Sequence, residues 1–279
     1  MKTKKINPIF CILFALWLTG VVIATFFDLD ISLAIADSES LLGRILEVAG
    51  EPPAILFTSF NFALISSYLF RFSKMRARDI TLAVLCAVGC VGTVIFTCIQ
   101  TLDYISEYSG HLLHIIYALI AAVIITVFFV MTAFCMNEKS LKKYFDTACR
   151  CAIVGVATFF IIWAFKLTWG RVRFRQGGSD PDVFTPWYLP QGFNGYYSFP
   201  SGHTANATVI FSSVFYLKFL PDKYRKYKPL IVTLLALWIV FVAFSRVLIG
   251  AHFLSDVLFG AAITLAIIYF TKGKDKNVH

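Results

Sequence analysis

Apolar runs, each about the length of a bilayer crossing, recur along this chain and leave few folds open to it. A crossing helix needs about twenty predominantly apolar residues. Blocks of that kind lie near residues 8–27, 54–70, 80–99, 112–136, 151–166, 203–220, 230–249 and 253–271. No internal repeat or low-complexity tract interrupts them, so the expected fold is all-α, a polytopic membrane helix bundle of about eight spans. The first block follows Lys2, Lys4 and Lys5 as a signal peptide's core would. It is longer than the roughly 7–15 residues of a cleaved signal and reads as an uncleaved span. The fifth block is the shortest.

Charge fixes a direction. With the amino terminus inside, 19 of the 25 lysines and arginines fall on inner segments. They group around residues 2–5, 71–78, 139–150, 218–228 and 272–276. This satisfies the positive-inside rule at every loop, placing both termini on the cytoplasmic side. The formal charge of +9 is therefore topological in origin and does not call for nucleic acid. Six basic residues remain outside: Arg44, Lys166, Arg171, Arg173, Arg175 and Arg246. They oppose the topological bias, and five of them fall in two short stretches, so a function should hold them there. The seven cysteines, an odd number without metal-ligand spacing, read as small apolar packing residues.

Two outer connections carry further patterns. Within residues 28–53, Leu41, Leu42, Ile45, Leu46 and Val48 recur at near-helical spacing behind Asp37 or Ser38 as a candidate N-cap, which predicts a short interfacial helix. Residues 174–200 are rich in Gly, Pro and aromatics, the last suited either to the bilayer interface or to the approach of an amphiphilic substrate.

Three stretches on this outer side hold reactive residues: Lys166 to Arg173, Pro200-Ser201-Gly202-His203, and Ser245-Arg246 through His252 to Asp256. Lys166, Arg173 and Arg246 can cradle the equatorial oxygens of a phosphoryl group. Ser201, Gly202 and His203 open a helix whose free N–H groups favour an anion. His252 and Asp256, four apart on one helix face, form a pair in which the carboxylate orients the imidazole for nucleophilic attack. His203 is left as general acid. Gly250 is expected to break the chain, letting Arg246 and His252 face one pocket. His111 and His114 are expected to have no catalytic role. No further carboxylate or cysteine set is evident near the site, so no metal or other cofactor is expected.

These motifs resemble the signature of the type-2 phosphatidic acid phosphatase superfamily: K-x6-R-P, then P-S-G-H, then S-R-x5-H-x3-D. The second and third match fully; in the first, Phe174 stands where proline is usual. The resemblance covers residues 80–271 and implies a six-helix phosphatase domain preceded by a two-helix transmembrane extension (1–79) and followed by a cytoplasmic tail (272–279). It implies phosphate binding by Lys166, Arg173, Ser201, Gly202 and Arg246, with His203 as acid and His252–Asp256 as the nucleophilic pair. The expected activity is hydrolysis of a lipid phosphomonoester or pyrophosphate at the outer membrane face, through a phosphohistidine. The substrate would be of the phosphatidate, phosphatidylglycerophosphate, undecaprenyl pyrophosphate or lipid A type. A lipid phosphotransferase using the same site is the alternative, and an anion transporter a weaker one, because the charges gather at one rim instead of the midplane.

Overall fold

A computed structural model describes residues 8–74, 76–109 and 115–273. Nine α-helices follow one another among them: α1 (Pro8–Ile35), α2 (Leu41–Ala49), α3 (Pro52–Phe72), α4 (Ala77–Ser109), α5 (Ile115–Cys135), α6 (Glu138–Trp169), α7 (Gly202–Val209), α8 (Lys228–Leu248) and α9 (Leu254–Thr271). Seven helical stretches, built on α1, α3, α4, α5, α6, α8 and α9, are long and apolar enough to cross a membrane. The chain is an integral membrane protein with an all-helical bundle fold. His111 and His114 lie outside the described residues.

The expected sixth span is the exception. In place of one long helix, residues 202–219 form the short α7 and then a 3-10 helix, Ile210–Phe219. The 3-10 winding rises about 2.0 Å per residue against 1.5 Å in an α-helix. The eighteen residues therefore cover about 32 Å, enough to run the depth of a bilayer. They start beside Arg246, near the end of α8, and finish at the turn that leads into the start of α8. The segment thus runs antiparallel to α8 from one end of the bundle to the other.

The fifth block, short in hydropathy, belongs to the 32-residue α6. Its first turns carry Lys139, Lys142, Lys143 and Arg150, which form helix readily but are not apolar. Similarly, α4 continues to Ser109 beyond the expected end near 99, because Gln100, Tyr104 and Tyr108 turn inward on one helix face. Helices in lipid approach one another through small residues. The main core follows this rule, with Ala63, Ala83, Cys90, Ala133, Ala148 and Ala152 buried among Leu64, Ile65, Leu69 and Leu141. All seven cysteines are free thiols.

The outer connection does contain a short helix, α2, but its N-cap is Ser40, whose Oγ accepts from Gly43 N–H at 3.3 Å. Asp37 instead receives the Glu39 N–H at 2.9 Å, in a turn just upstream. Leu41, Leu42 and Ile45 face outward, while Gly43, Leu46 and Glu47 are buried against the end of α8. A methyl group at Gly43 would sit 1.9 Å from Ile249 Cγ2, so only glycine lets α2 lie this close.

Candidate active site

His252 stands in the short break between α8 and α9, where Gly250 takes a left-handed conformation (φ 64°) that reverses the chain. Asp256 sits in the first turn of α9, its Oδ2 3.6 Å from His252 Nδ1. Ser198 Oγ lies between them, donating to Asp256 Oδ2 at 2.6 Å and standing 3.5 Å from His252 Nδ1. Asp256 Oδ2 also accepts the Phe253 N–H at 2.9 Å. This fixes the ring by its Nδ1 edge and leaves Nε2 as the free nitrogen. Burial, with repulsion from Lys166 and Arg173, holds His252 well below the ordinary histidine value, against the pull of the Asp256 carboxylate.

Behind Asp256 is a fully buried arginine, Arg171, which the sequence marked only as one of the outward basic residues and to which it gave no role. Arg171 donates to Asp256 Oδ1 at 2.7 Å, to Asp28 Oδ2 at 2.9 Å and to Ser255 Oγ at 2.7 Å. Its guanidinium lies 4.2 Å from the Phe253 ring centre. Asp28 comes from a kink in α1 and also accepts the Ser255 N–H at 3.0 Å. One cation between two carboxylates, with each oxygen hydrogen-bonded, satisfies the condition for burying charge.

Around His203, in the first turn of α7, the partners come from α2 and α3. Its Nε2 is 3.2 Å from the Glu47 carbonyl oxygen, and its Nδ1 is 3.5 Å from Glu51 Oε1. The Glu47 side chain pairs with Arg246 (3.0 Å) and Arg175 (3.2 Å) and accepts from Tyr108. Arg246, fully buried, also donates to the Gly43 carbonyl at 3.0 Å. Ser201 caps α7, its Oγ accepting from Thr204 N–H at 3.3 Å. Its own N–H donates to the Asp256 carbonyl at 2.9 Å, tying the two histidine-bearing turns together.

A cavity of about 540 Å³ opens beside both histidines. Lys166, Arg173, Gly202, His203 and His252 line its polar end, with Glu51, Gln100, Tyr104 and Asn206 alongside. From there it runs down between α4 and α6 over α3, past Ile55, Thr58, Gly92, Phe96, Val156, Phe159 and Phe160 to Phe62, Gly89 and Gly155. Lys166 Nζ donates to the Tyr197 carbonyl at 2.5 Å, and Arg173 Nε is buried with no hydrogen-bond partner among the described residues. Among the described residues, neither side chain has a carboxylate within ion-pair distance. Of the five cations gathered here, the two without a carboxylate are the two that line the cavity.

The expected convergence of three cations is therefore two at the cavity wall and one, Arg246, behind it on Glu47. The sequence stretches held no carboxylate near His203, and this expectation is overturned, since Glu47 and Glu51 arrive from the N-terminal helices. Among the described residues no group of three or more His, Cys, Asp or Glu is placed to hold a metal ion. Nor do the loop aromatics line the cavity. Trp187, Phe199 and Phe259 pack on one another, with Trp169 stacked on Phe199 at 4.8 Å, and Phe184 meets Phe253. Phe174, in the place of the usual proline, packs edge-on against Phe253. Gly177 and Gly178 only close a turn, in which Gly178 N–H donates to the Arg173 carbonyl. A faint signal for the missed partners was present, in that Asp28, Glu47 and Glu51 are acids in or beside apolar segments, where a charge without a partner is costly.

A family model described as the PAP2 superfamily matches residues 174–277, taking in Ser201 to His203 and Arg246 to Asp256 but not Lys166 or Arg173. Among curated proteins, phosphatidylglycerophosphatase B of Bacillus subtilis (strain 168) is 30% identical over 139 residues. That match covers 45% of this chain and 66% of the relative, just under two thirds of its length. No solved structure matches. The P-S-G-H and S-R-x5-H-x3-D residues assemble around one cavity, and residues 174–277, which carry both, are similar to the PAP2 superfamily.

Proposed function

We propose that this protein is a lipid phosphate phosphatase working through a phosphohistidine. One observation carries the reading: a single cavity joins an apolar groove, lined by membrane helices, to two histidines and two unpaired cations. The phosphate of an amphiphile would meet Lys166 and Arg173 while its hydrocarbon chain lies along α3, α4 and α6. About 16 Å of helix separates Lys166 from Gly155, room for much of one acyl chain.

In the first step His252 Nε2 attacks phosphorus and the bond to the lipid oxygen breaks, its electron pair leaving with that oxygen. His203 supplies the proton that makes it an alcohol. Asp256, held by Arg171 and Ser198, steadies the charge that develops on His252. In the second step water attacks the phosphohistidine, His203 takes its proton, and inorganic phosphate leaves. Each step is acid–base and nucleophilic chemistry that these side chains supply themselves, so the reaction is proposed to need no metal. The charge distribution along the chain supports a site on the outer face. The relative's name makes phosphatidylglycerophosphate the first substrate to try.

The test is phosphate release from detergent-solubilised phosphatidylglycerophosphate, phosphatidate and undecaprenyl pyrophosphate, with chelator present. Wild type is expected to release phosphate from at least one of these, and His252→Ala to lose at least about 10³-fold. Full activity in His252→Ala would remove the nucleophile, and loss of activity on chelation would remove metal independence. Transfer of phosphate to an added alcohol or lipid instead of water would make the protein a phosphotransferase.

A further inference from the structure

We infer that Glu51 is the positioning residue of the general acid, the counterpart for His203 of what Asp256 is for His252. The inference rests on the phosphatase reading and adds to it a residue outside every recognised motif. Proton accounting carries it. A carbonyl oxygen can only accept, so the 3.2 Å approach of His203 Nε2 to the Glu47 carbonyl places a proton on Nε2. The other nitrogen, Nδ1, faces Glu51 Oε1 at 3.5 Å. A lone pair on Nδ1 facing a carboxylate would repel it, so a second proton belongs between these two atoms. The pair therefore keeps the ring in the form that can give up its Nε2 proton in the first step and take one back at Nε2 from water in the second.

Glu51 is itself held in place. Gln100 Nε2 donates to its Oε2 at 2.7 Å and Asn206 Nδ2 to its Oε1 at 2.9 Å. These amides come from α4 and α7, and Glu51 stands at the start of α3, so three helices fix one carboxylate. The Tyr104 ring packs beside the imidazole at 5.7 Å between centres. All five side chains line the cavity at its polar end, next to the cations. A carboxylate needed only for packing would have no reason to be anchored by two amides while facing an imidazole.

An acid matters only when the departing group needs a proton. An alkoxide needs one. A thiolate, whose acid has a pKa of about 8.5, leaves without it. The experiment compares a lipid phosphate with the same lipid carrying sulfur in place of the bridging oxygen, both with an unchanged tail. In kcat/KM, Glu51→Gln is expected to lose about 10²-fold on the oxygen ester and less than about fivefold on the sulfur ester. Glu51→Asp, with its carboxylate drawn back from Nδ1, should show the same bias more weakly, and it serves if the glutamine variant does not fold. His203→Ala should show the bias most strongly, and His252→Ala should lose both substrates. Equal losses on the two esters in folded Glu51 variants, or no loss on either, would overturn the role of Glu51. Absence of bias in His203→Ala, or no cleavage of either ester by wild type, would instead overturn the phosphatase reading beneath it.

Discussion

At the scale of single residues, the surroundings of His252 decide its charge. His252 faces the cations Lys166 and Arg173 and is buried, both of which favour the neutral ring. A nucleophile must be neutral, and a depressed value keeps it so as the pH falls through the usual histidine range near 6.5. We therefore expect the His252 resonance, assigned with His252→Ala in ¹³C-histidine-labelled protein, to stay neutral at pH 6. Titration at or above about 6.5 would contradict the environment described. The sequence pointed to His252 as the proposed nucleophile, and the structure places the Asp256 carboxylate beside it. The sequence did not show Ser198 between them, because a serine in a loop 54 residues upstream has no spacing to announce it. Arg171 was visible as an outward arginine against the topological bias, but which carboxylates it meets depends on a kink in α1.

Elements show a similar division. Spans whose ends coincide with a change in hydropathy, such as α8 and α9, were readable to within two residues. Where inward-turned polar residues prolong a helix, as in α4, hydropathy alone stops too soon. The tighter winding after Val209 was beyond reach, since hydropathy does not distinguish a 3-10 helix from an α-helix. The groove between α4 and α6 gives a prediction at this scale. Gly92 lines the cavity, and a Cβ added there meets no atom within 4 Å. Gly92→Phe should fold normally and fill part of the groove. Its kcat/KM for long-chain lipid phosphates should fall about tenfold or more relative to short-chain ones. An unchanged chain-length profile would place the hydrocarbon elsewhere.

For the whole molecule, the site gathers at one end of the bundle from nearly every part of the chain. α1 gives Asp28, α2 and α3 give Glu47 and Glu51, α6 gives Lys166, and the turns opening α7 and α9 give the histidines. Positive charge at the opposite end supports the proposal that this rim faces outward. A cysteine at Ser179, on the site side, should react with a membrane-impermeant maleimide in intact cells once the seven native cysteines are replaced. One at Lys223 should react only after permeabilisation, and the reverse pattern would turn the site inward.

Asp28 and Arg171 are also separated in time. Translation adds about 5–20 residues each second, and 143 positions lie between the two partners. The carboxylate on the first helix therefore waits on the order of 7–30 s for its cation to be synthesised. Until then water and lipid headgroups at the membrane rim are its available partners. The first helix to be made is thus among the last to be locked, and the support behind Asp256 and His252 is complete only when biogenesis of the rest is nearly done.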